Sequence, residues 1–241
     1  MKKIKLSVIV PVYNEELAIG ESLKKITSFL KRKNYTWEVV VVDDGSRDKT
    51  ENVVKSLRLD GVRFEKLSEN QGKGAAIRRG VAAAEGEFII FTDADLSVPI
   101  EYADKLLFRL ETGPEVVIGS RRTKGSKIVK HQPFIRESMG RVFTLLSRLA
   151  TGTWVTDFTC GFKGFEAKAA KKIFAKSLIN RWVFDSEIIF LAKKFGYKIS
   201  EVPVEWINRE DSRIRSLGST GYKSLVELMQ IRLNDFAGKY D

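Results

Sequence analysis

The chain has 241 residues, 43% of them hydrophobic and 30% charged, with a formal net charge of +11. That length suits one large α/β domain or two small ones, and the composition excludes a disordered or fibrous chain. Cys160 is the only cysteine and His131 the only histidine, which excludes an intramolecular disulfide and argues against a structural zinc site.

The basic balance directs attention to polyanionic partners: nucleic acid, an anionic membrane surface or phosphorylated substrates. The segment from Met1 to Lys5 is basic, but the apolar run after it stops at Asn14 without a cleavage-like site. No signal peptide is expected. No stretch approaches about 18 consecutive apolar residues, so no bilayer span is expected either.

Leu6 to Asn14 reads as a first strand that ends at a proline and then a turn residue. Glu15 to Lys31 has helical spacing, with acidic residues early and basic ones late, as the helix dipole favours. Trp37 to Val42 is a second buried strand closing on Asp43-Asp44-Gly45-Ser46. A helix over Thr50 to Leu57 and a third strand over Val62 to Leu67 follow. The polar loop Ser68 to Gly74 then leads into an alanine-rich helix, Ala75 to Ala84.

Phe88-Ile89-Ile90-Phe91 is a short strand of the kind buried on both faces, and it runs straight into Asp93-Ala94-Asp95. Residues two apart in a strand share a side, so both carboxylates would point together from its carboxyl end. Like charges held that close need a cation or a hydrogen-bond array. Hard oxygen ligands suit Mg2+ or Mn2+, which usually take one or two carboxylates plus a substrate's phosphates. An acidic turn after a strand is the alternative reading of an Asp-x-Asp taken alone. The alternation of strands and helices up to this point predicts a parallel, doubly wound α/β sheet. Ligands of such sheets sit at the carboxyl ends of the strands, where Tyr13-Asn14-Glu15, Asp43 to Ser46 and Asp93 to Asp95 converge.

Beyond the centre the alternation breaks. Val116 to Arg121 reads as a strand, Arg122 to Gln132 as a basic, mobile stretch, and Phe134 to Leu149 as an amphipathic helix. Asp157 to Phe165 reads as a loop and strand, and Ala167 to Phe174 as a helix. Phe184 to Phe195 is helical, with Gly196 as its stop. Ile199 to Trp206 is a last strand interrupted by Pro203, and Gly221 to Phe236 a last helix. No repeat or linker divides the chain. The expected organisation is one domain over residues 1–215 and a C-terminal amphipathic helix within 216–241 that faces a membrane.

Four blocks in this order resemble the family 2 glycosyltransferases of GT-A fold. They are Val8-Ile9-Val10-Pro11-Val12-Tyr13-Asn14-Glu15, Val42-Asp43-Asp44-Gly45-Ser46-x-Asp48-x-Thr50, Asn70-x-Gly72-Lys73-Gly74 and Asp93-Ala94-Asp95. Later blocks resemble the polyprenyl-phosphate branch, with its dolichyl-phosphate glucosyltransferases and mannose synthases. These are Gly119-Ser120-Arg121, Asp157-x-x-Cys160-Gly161-Phe162-Lys163, Arg181-Trp182-x-Phe184-Asp185-x-Glu187 and Gly196-Tyr197-x-Ile199-x-Glu201-x-Pro203-Val204-x-Trp206. Leu96-Ser97-x-Pro99 leans towards the glucosyltransferases.

The resemblance implies a GT-A fold with a Rossmann-like nucleotide-binding half and an inverting transfer of a hexose from a nucleotide sugar to polyprenyl or dolichyl phosphate. UDP-glucose is the favoured donor and GDP-mannose the next. Asp95 would bind the Mg2+ or Mn2+ that bridges the diphosphate, and Asp93 would contact ribose or sugar. Mannose synthases carry a metal-holding Gln where this chain has Ser97. Asp43 would hydrogen-bond the base, while Pro11, Tyr13 and Glu15 would form the pocket for base and ribose. Lys73, between two glycines, would shape the nucleotide pocket; the glycines alternatively only permit a turn.

Arginine's planar fork suits phosphate oxygens. Arg121 and Arg136 would hold the acceptor's phosphate, and Arg209 and Arg213 would close over the diphosphate; each also reads as a solvated surface residue. A phosphate acceptor needs no general base, because its second pKa lies near 6. A glycan or protein hydroxyl acceptor, the alternative, would need one, and Asp157 and Asp185 fall where it would lie. The helices at Phe134 to Leu149 and Gly221 to Phe236 either pack against the domain or lie in a membrane interface. The expectation is a cytoplasmic protein, peripheral at the inner face of the membrane. No helix-turn-helix, zinc-finger or RNA-sheet motif supports nucleic-acid binding.

Overall fold

The computed structural model describes residues 3–131, 133–208 and 217–241. In chain order the elements are β1 (Leu6–Val12), α1 (Ile19–Lys31), β2 (Trp37–Asp43), α2 (Thr50–Ser56), β3 (Val62–Lys66), α3 (Lys73–Ala83) and β4 (Phe88–Phe91). They continue with α4 (Ala103–Glu111), β5 (Val116–Ser120), β6 (Lys127–Lys130), α5 (Phe134–Thr151), β7 (Lys163–Glu166) and α6 (Ala167–Lys176). The last are α7 (Phe184–Lys194), β8 (Ile199–Pro203), β9 (Glu205–Ile207) and α8 (Leu217–Phe236).

Among the described residues, seven strands form one sheet in the order β3-β2-β1-β4-β7-β5-β8. The pairs β1–β2, β1–β4, β2–β3 and β5–β8 are parallel. β7 enters antiparallel between β4 and β5. The doubly wound, mostly parallel α/β sheet expected from the alternation is present.

Alternate residues of each strand feed opposite faces. Ile9, Val40, Val42, Ile89 and Phe91 belong to one core, shared with α3, α6 and α7. Val8, Val10, Val39, Val41 and Ile90 belong to the other, shared with α1 and α4. Burial on both faces explains why these strands read as continuous apolar runs. On α3, Gly80 brings the helix so close that a Cβ there would lie 2.5 Å from Ile9 Cγ2.

Several local expectations are corrected. α1 begins at Ile19, because Asn14 takes a left-handed turn (φ +50°) and residues 15–18 complete it. The basic stretch expected to be mobile contains β6, which pairs in parallel with β9. The single strand expected over Ile199 to Trp206 is two strands in two sheets. Proline lacks the N–H that would continue a ladder, and Pro203 is the last residue of β8. α4 was not anticipated. At the C-terminus, α8 packs on α5 and α7, burying Leu228, Ile231 and the later Tyr240 in the α7-side core.

Candidate active site

The carboxyl ends of β1, β2 and β4 and the loop after β5 open on one cleft of about 720 Å³, lined by Pro11, Tyr13, Glu15, Lys73, Asp93, Asp95 and Arg121 among others. Asp43 lies beneath this cleft rather than on its wall. It is fully buried, accepts the Ser46 N–H at 2.9 Å, and its Oδ2, without a hydrogen-bond partner among the described residues, lies 4.0 Å from Lys66 Nζ. The neighbouring Asp44 lines the cleft and accepts the N–H groups of Gln71 and Gly72 at 2.8 and 2.9 Å. Asp44 thereby ties the end of β2 to the loop that carries Lys73. Burial raises its pKa, against those two hydrogen bonds and the charge of Arg181.

After β4 the chain turns sharply. Leu96 sits at φ +49° and donates its N–H to the Asp93 carbonyl. A left-handed leucine is strained, and this one closes the turn that brings Asp93 and Asp95 to the same cleft. Asp95 Oδ1 accepts the Ser97 N–H at 2.9 Å, and its Oδ2 accepts the Ser97 hydroxyl at 2.8 Å. Ser97 therefore orients Asp95. Burial and the charge of Asp93 raise the Asp95 pKa.

Lys73 donates to Asp93 Oδ1, an ion pair that sequence reasoning did not foresee. Burial opposes the Lys73 charge, yet the carboxylates of Asp93, Asp185 and Asp95 outweigh it and raise the lysine's pKa. On the other side of Asp93, Gly161 packs directly on the carboxylate.

These residues fit a divalent cation. Two hard-oxygen carboxylates share one cleft, and Asp95 spends only two of roughly four lone-pair sites on Ser97. A cation would favour the ionised Asp95 that burial and the Asp93 charge oppose. Among the described residues no group of three or more His, Cys, Asp or Glu could hold a metal alone. Substrate phosphates and water would complete the sphere, as is usual for Mg2+.

Arg121 is held by Asp157. Its Nε and Nη2 donate to the two carboxylate oxygens at 2.7 and 2.8 Å, its backbone N–H to Oδ2 at 3.0 Å, and Nη2 also to Thr159 at 2.8 Å. Asp157 is fully buried; burial opposes its charge, but Arg121 drives its pKa far below the usual carboxylate range. The guanidinium carbon of Arg121 lies 5.3 Å from the Trp206 ring centroid. Asp185 is buried as well, paired with the fully buried Lys163, whose Nζ also donates to the carbonyls of Phe158 and Cys160 at 2.9 and 2.6 Å. The side chain of Arg136, and Arg209 and Arg213 entirely, lie outside the described residues. His131 is on the surface, 2.8 Å from Glu137.

The sequence reading did not put Thr159, Gly161, Arg181, Trp182 or Trp206 at the site, although all line the cleft. Their blocks had been noticed; which residue of each faces the cleft follows from loop geometry that no spacing encodes.

Residues 7–174 match the family model described as glycosyl transferase family 2. The dolichyl-phosphate beta-glucosyltransferase of Drosophila melanogaster is 36% identical over 226 residues, covering 88% of this chain and 69% of that protein. The Saccharomyces cerevisiae dolichyl-phosphate beta-glucosyltransferase is 33% identical over 259 residues, covering 99% and 77%. Glucosyl-3-phosphoglycerate synthase from Mycobacterium tuberculosis, in complex with Mn2+, UDP and glucosyl-3-phosphoglycerate, superposes with a TM-score of 0.70 at 21% identity, covering 95% of this chain and 80% of that one. That last likeness concerns the fold. With the Asp-x-Asp turn at the carboxyl edge of a GT-A sheet and the family model spanning it, this chain belongs to the family 2 glycosyltransferases.

Proposed function

We propose that this glycosyltransferase moves glucose from UDP-glucose to a polyprenyl phosphate of the dolichyl type, with inversion and with Mg2+ or Mn2+. The observation that carries the acceptor class is the state of Asp157 and Asp185. A hydroxyl acceptor needs a carboxylate free to take a proton, and these two are locked in buried ion pairs with Arg121 and Lys163. A phosphate acceptor brings its own unprotonated oxygen. The names of the relatives and the UDP complexes of the fold neighbours support the same substrates.

In the transfer, an acceptor phosphate oxygen forms a bond to the anomeric carbon while the bond from that carbon to the diphosphate oxygen breaks. UDP leaves with the electron pair. A bound divalent cation supplies charge neutralisation on the leaving diphosphate. Asp95 would hold it, Ser97 fixes the direction of Asp95, and Lys73 fixes Asp93, the residue assigned to ribose or sugar. Pro11, Tyr13 and Glu15 would enclose the nucleotide, with Asp43 and Asp44 supporting that pocket from below and beside it. The free Nη1 of Arg121 would meet the acceptor phosphate.

The organisation of the chain supports work at a membrane surface. No helix among the described residues is long and apolar enough to cross a membrane. α5 exposes Ile135, Val142, Leu145 and Leu149, and the adjoining α8 exposes Tyr222, Met229, Leu233 and Phe236. These outer faces would sit in the lipid interface, with the net charge of +11 drawn to anionic headgroups. The region over 216–241 would then be the membrane-facing helix of a catalytic domain over 1–215, peripheral at the cytoplasmic face.

The deciding experiment supplies radiolabelled UDP-glucose and GDP-mannose in parallel with polyprenyl phosphate and Mn2+ or Mg2+. Label passing into the organic phase from UDP-glucose supports the proposal. Label passing only from GDP-mannose moves the assignment to mannose, and none from either donor points to a hydroxyl acceptor.

A further inference from the structure

The cleft contains a cation that the reaction as described leaves without a task. Arg121 spends most of its fork on Asp157 and Thr159, Lys73 is consumed by Asp93, and Lys25 pairs with Glu21 at 2.6 Å. Arg181 also lines the cleft, is exposed, and makes no hydrogen bond or ion pair among the described residues. Its nearest opposite charges act at longer range, from Asp44 and from Glu227 on α8.

The backbone that carries Arg181 is held from every side. Glu187, fully buried, accepts the N–H groups of Leu178 and Ile179 at 2.9 Å each. The Asn180 carbonyl accepts the Gly74 N–H at 2.7 Å, and the Val183 N–H reaches Glu227 at 3.3 Å. Close approach to the Lys73 loop is built in, since a Cβ on Gly72 would lie 2.5 Å from the Asn180 carbonyl oxygen and 2.9 Å from Arg181 Cγ. A loop this constrained fixes the backbone from which Arg181 projects before any ligand arrives, which lowers the ordering cost of binding. It presents two large exposed groups to the cleft, Arg181 and the half-exposed indole of Trp182.

We propose that Arg181 is a phosphate-binding residue of this cleft, taking an oxygen of the donor diphosphate or of the acceptor phosphate, with Trp182 as the flat wall beside it. The inference rests on the transfer between two phosphorylated substrates proposed above. A guanidinium with its whole fork free can make two parallel bonds to one phosphate, which a lysine cannot reproduce.

The test separates the two sources, and binding from transfer. UDP with Mn2+ and farnesyl phosphate are titrated separately into the wild type, Arg181→Gln and Arg181→Lys, following tryptophan fluorescence and heat. Arg181→Gln should weaken one ligand about tenfold or more, as expected for a lost charge-assisted bond, with an unchanged melting temperature and partial recovery in Arg181→Lys. Loss confined to UDP assigns the donor diphosphate, and loss confined to farnesyl phosphate assigns the acceptor. Unchanged affinity for both ligands overturns the inference. A wild type that binds these ligands but transfers no sugar would instead overturn the proposed reaction and leave this assignment standing.

Discussion

Gly161 leaves no room for a side chain against Asp93: a Cβ built on the glycine falls inside the carboxylate of the first aspartate of the central motif. The other side of that carboxylate is tethered to Lys73, so Asp93 is clamped between a glycine and an ammonium group. Gly161→Ala should push it out of place. A misplacement on the order of 1 Å can cost roughly a hundredfold in rate. Glucose transfer should fall by about that factor while the thermal melt moves little, measured on the same preparation.

Asp95 and Ser97 should separate in a metal titration. Asp95→Asn should abolish the strengthening of UDP binding by Mn2+ and cost on the order of a hundredfold or more in transfer, as for loss of a group that stabilises developing charge. Ser97→Ala removes only the hydroxyl bond to Asp95 and keeps the backbone one. Its effect should be nearer about fivefold, the size of one hydrogen bond of about 1 kcal/mol. Equal losses in the two variants would show that Ser97 does more than orient its neighbour.

The Arg121–Asp157 pair sets a pH dependence. Asp157 has a native pKa far below its unfolded value of about 3.9. Its contribution is therefore complete above that unfolded value and is lost as pH falls below it toward the native pKa. Asp157→Asn leaves Arg121 unpaired in a largely buried position and should cost about 3–5 kcal/mol at neutral pH. Urea melts between neutral pH and roughly pH 3 should also show a shallower acid slope for the variant than for the wild type.

Tyr240 links the end of the chain to the cleft. Its hydroxyl, fully buried, donates to Glu187 at 2.6 Å, and Glu187 in turn holds the loop that carries Arg181. Burial, reinforced by the bond to Glu187, pushes the phenol well above its usual range. Tyr240→Phe should destabilise by about 1–3 kcal/mol, the cost of an acceptor left short of a donor. Faster amide exchange at Leu178 and Ile179 in that variant would confirm the route.

Cys160 is buried and its thiol pushed up to about 12, chiefly by burial and then by Asp157. A protonated, covered thiol is inert. The native protein should resist thiol reagents until it unfolds, so the rate of labelling in urea should track global opening.

Much of this architecture was legible beforehand. The runs Val8 to Val12, Val39 to Val42 and Phe88 to Phe91 are apolar at consecutive positions, as strands covered on both faces are. Their alternation with helices gave the parallel sheet, and the polar ends of the strands gave the edge where the cleft lies. Periodicity carries such information because it depends only on the local geometry of a strand or helix. The Asp93–Asp95 spacing predicts two carboxylates sharing a side as strand neighbours, but β4 stops at Phe91, and it is the turn closed by Leu96 that brings both to the cleft.

What tertiary structure alone decided is who meets whom. Lys73 is 20 residues from Asp93 and Arg121 is 36 from Asp157, and no local rule connects them. β7 slots antiparallel between β4 and β5, which brings Gly161 against Asp93 and Lys163 under Asp185. The adjacent residues Asp43 and Asp44 part ways, one sealed below the cleft and one on its wall. A buried charge is tolerated only where the fold delivers a partner to it, and that delivery is a property of the packed chain, set by long-range closure rather than by spacing.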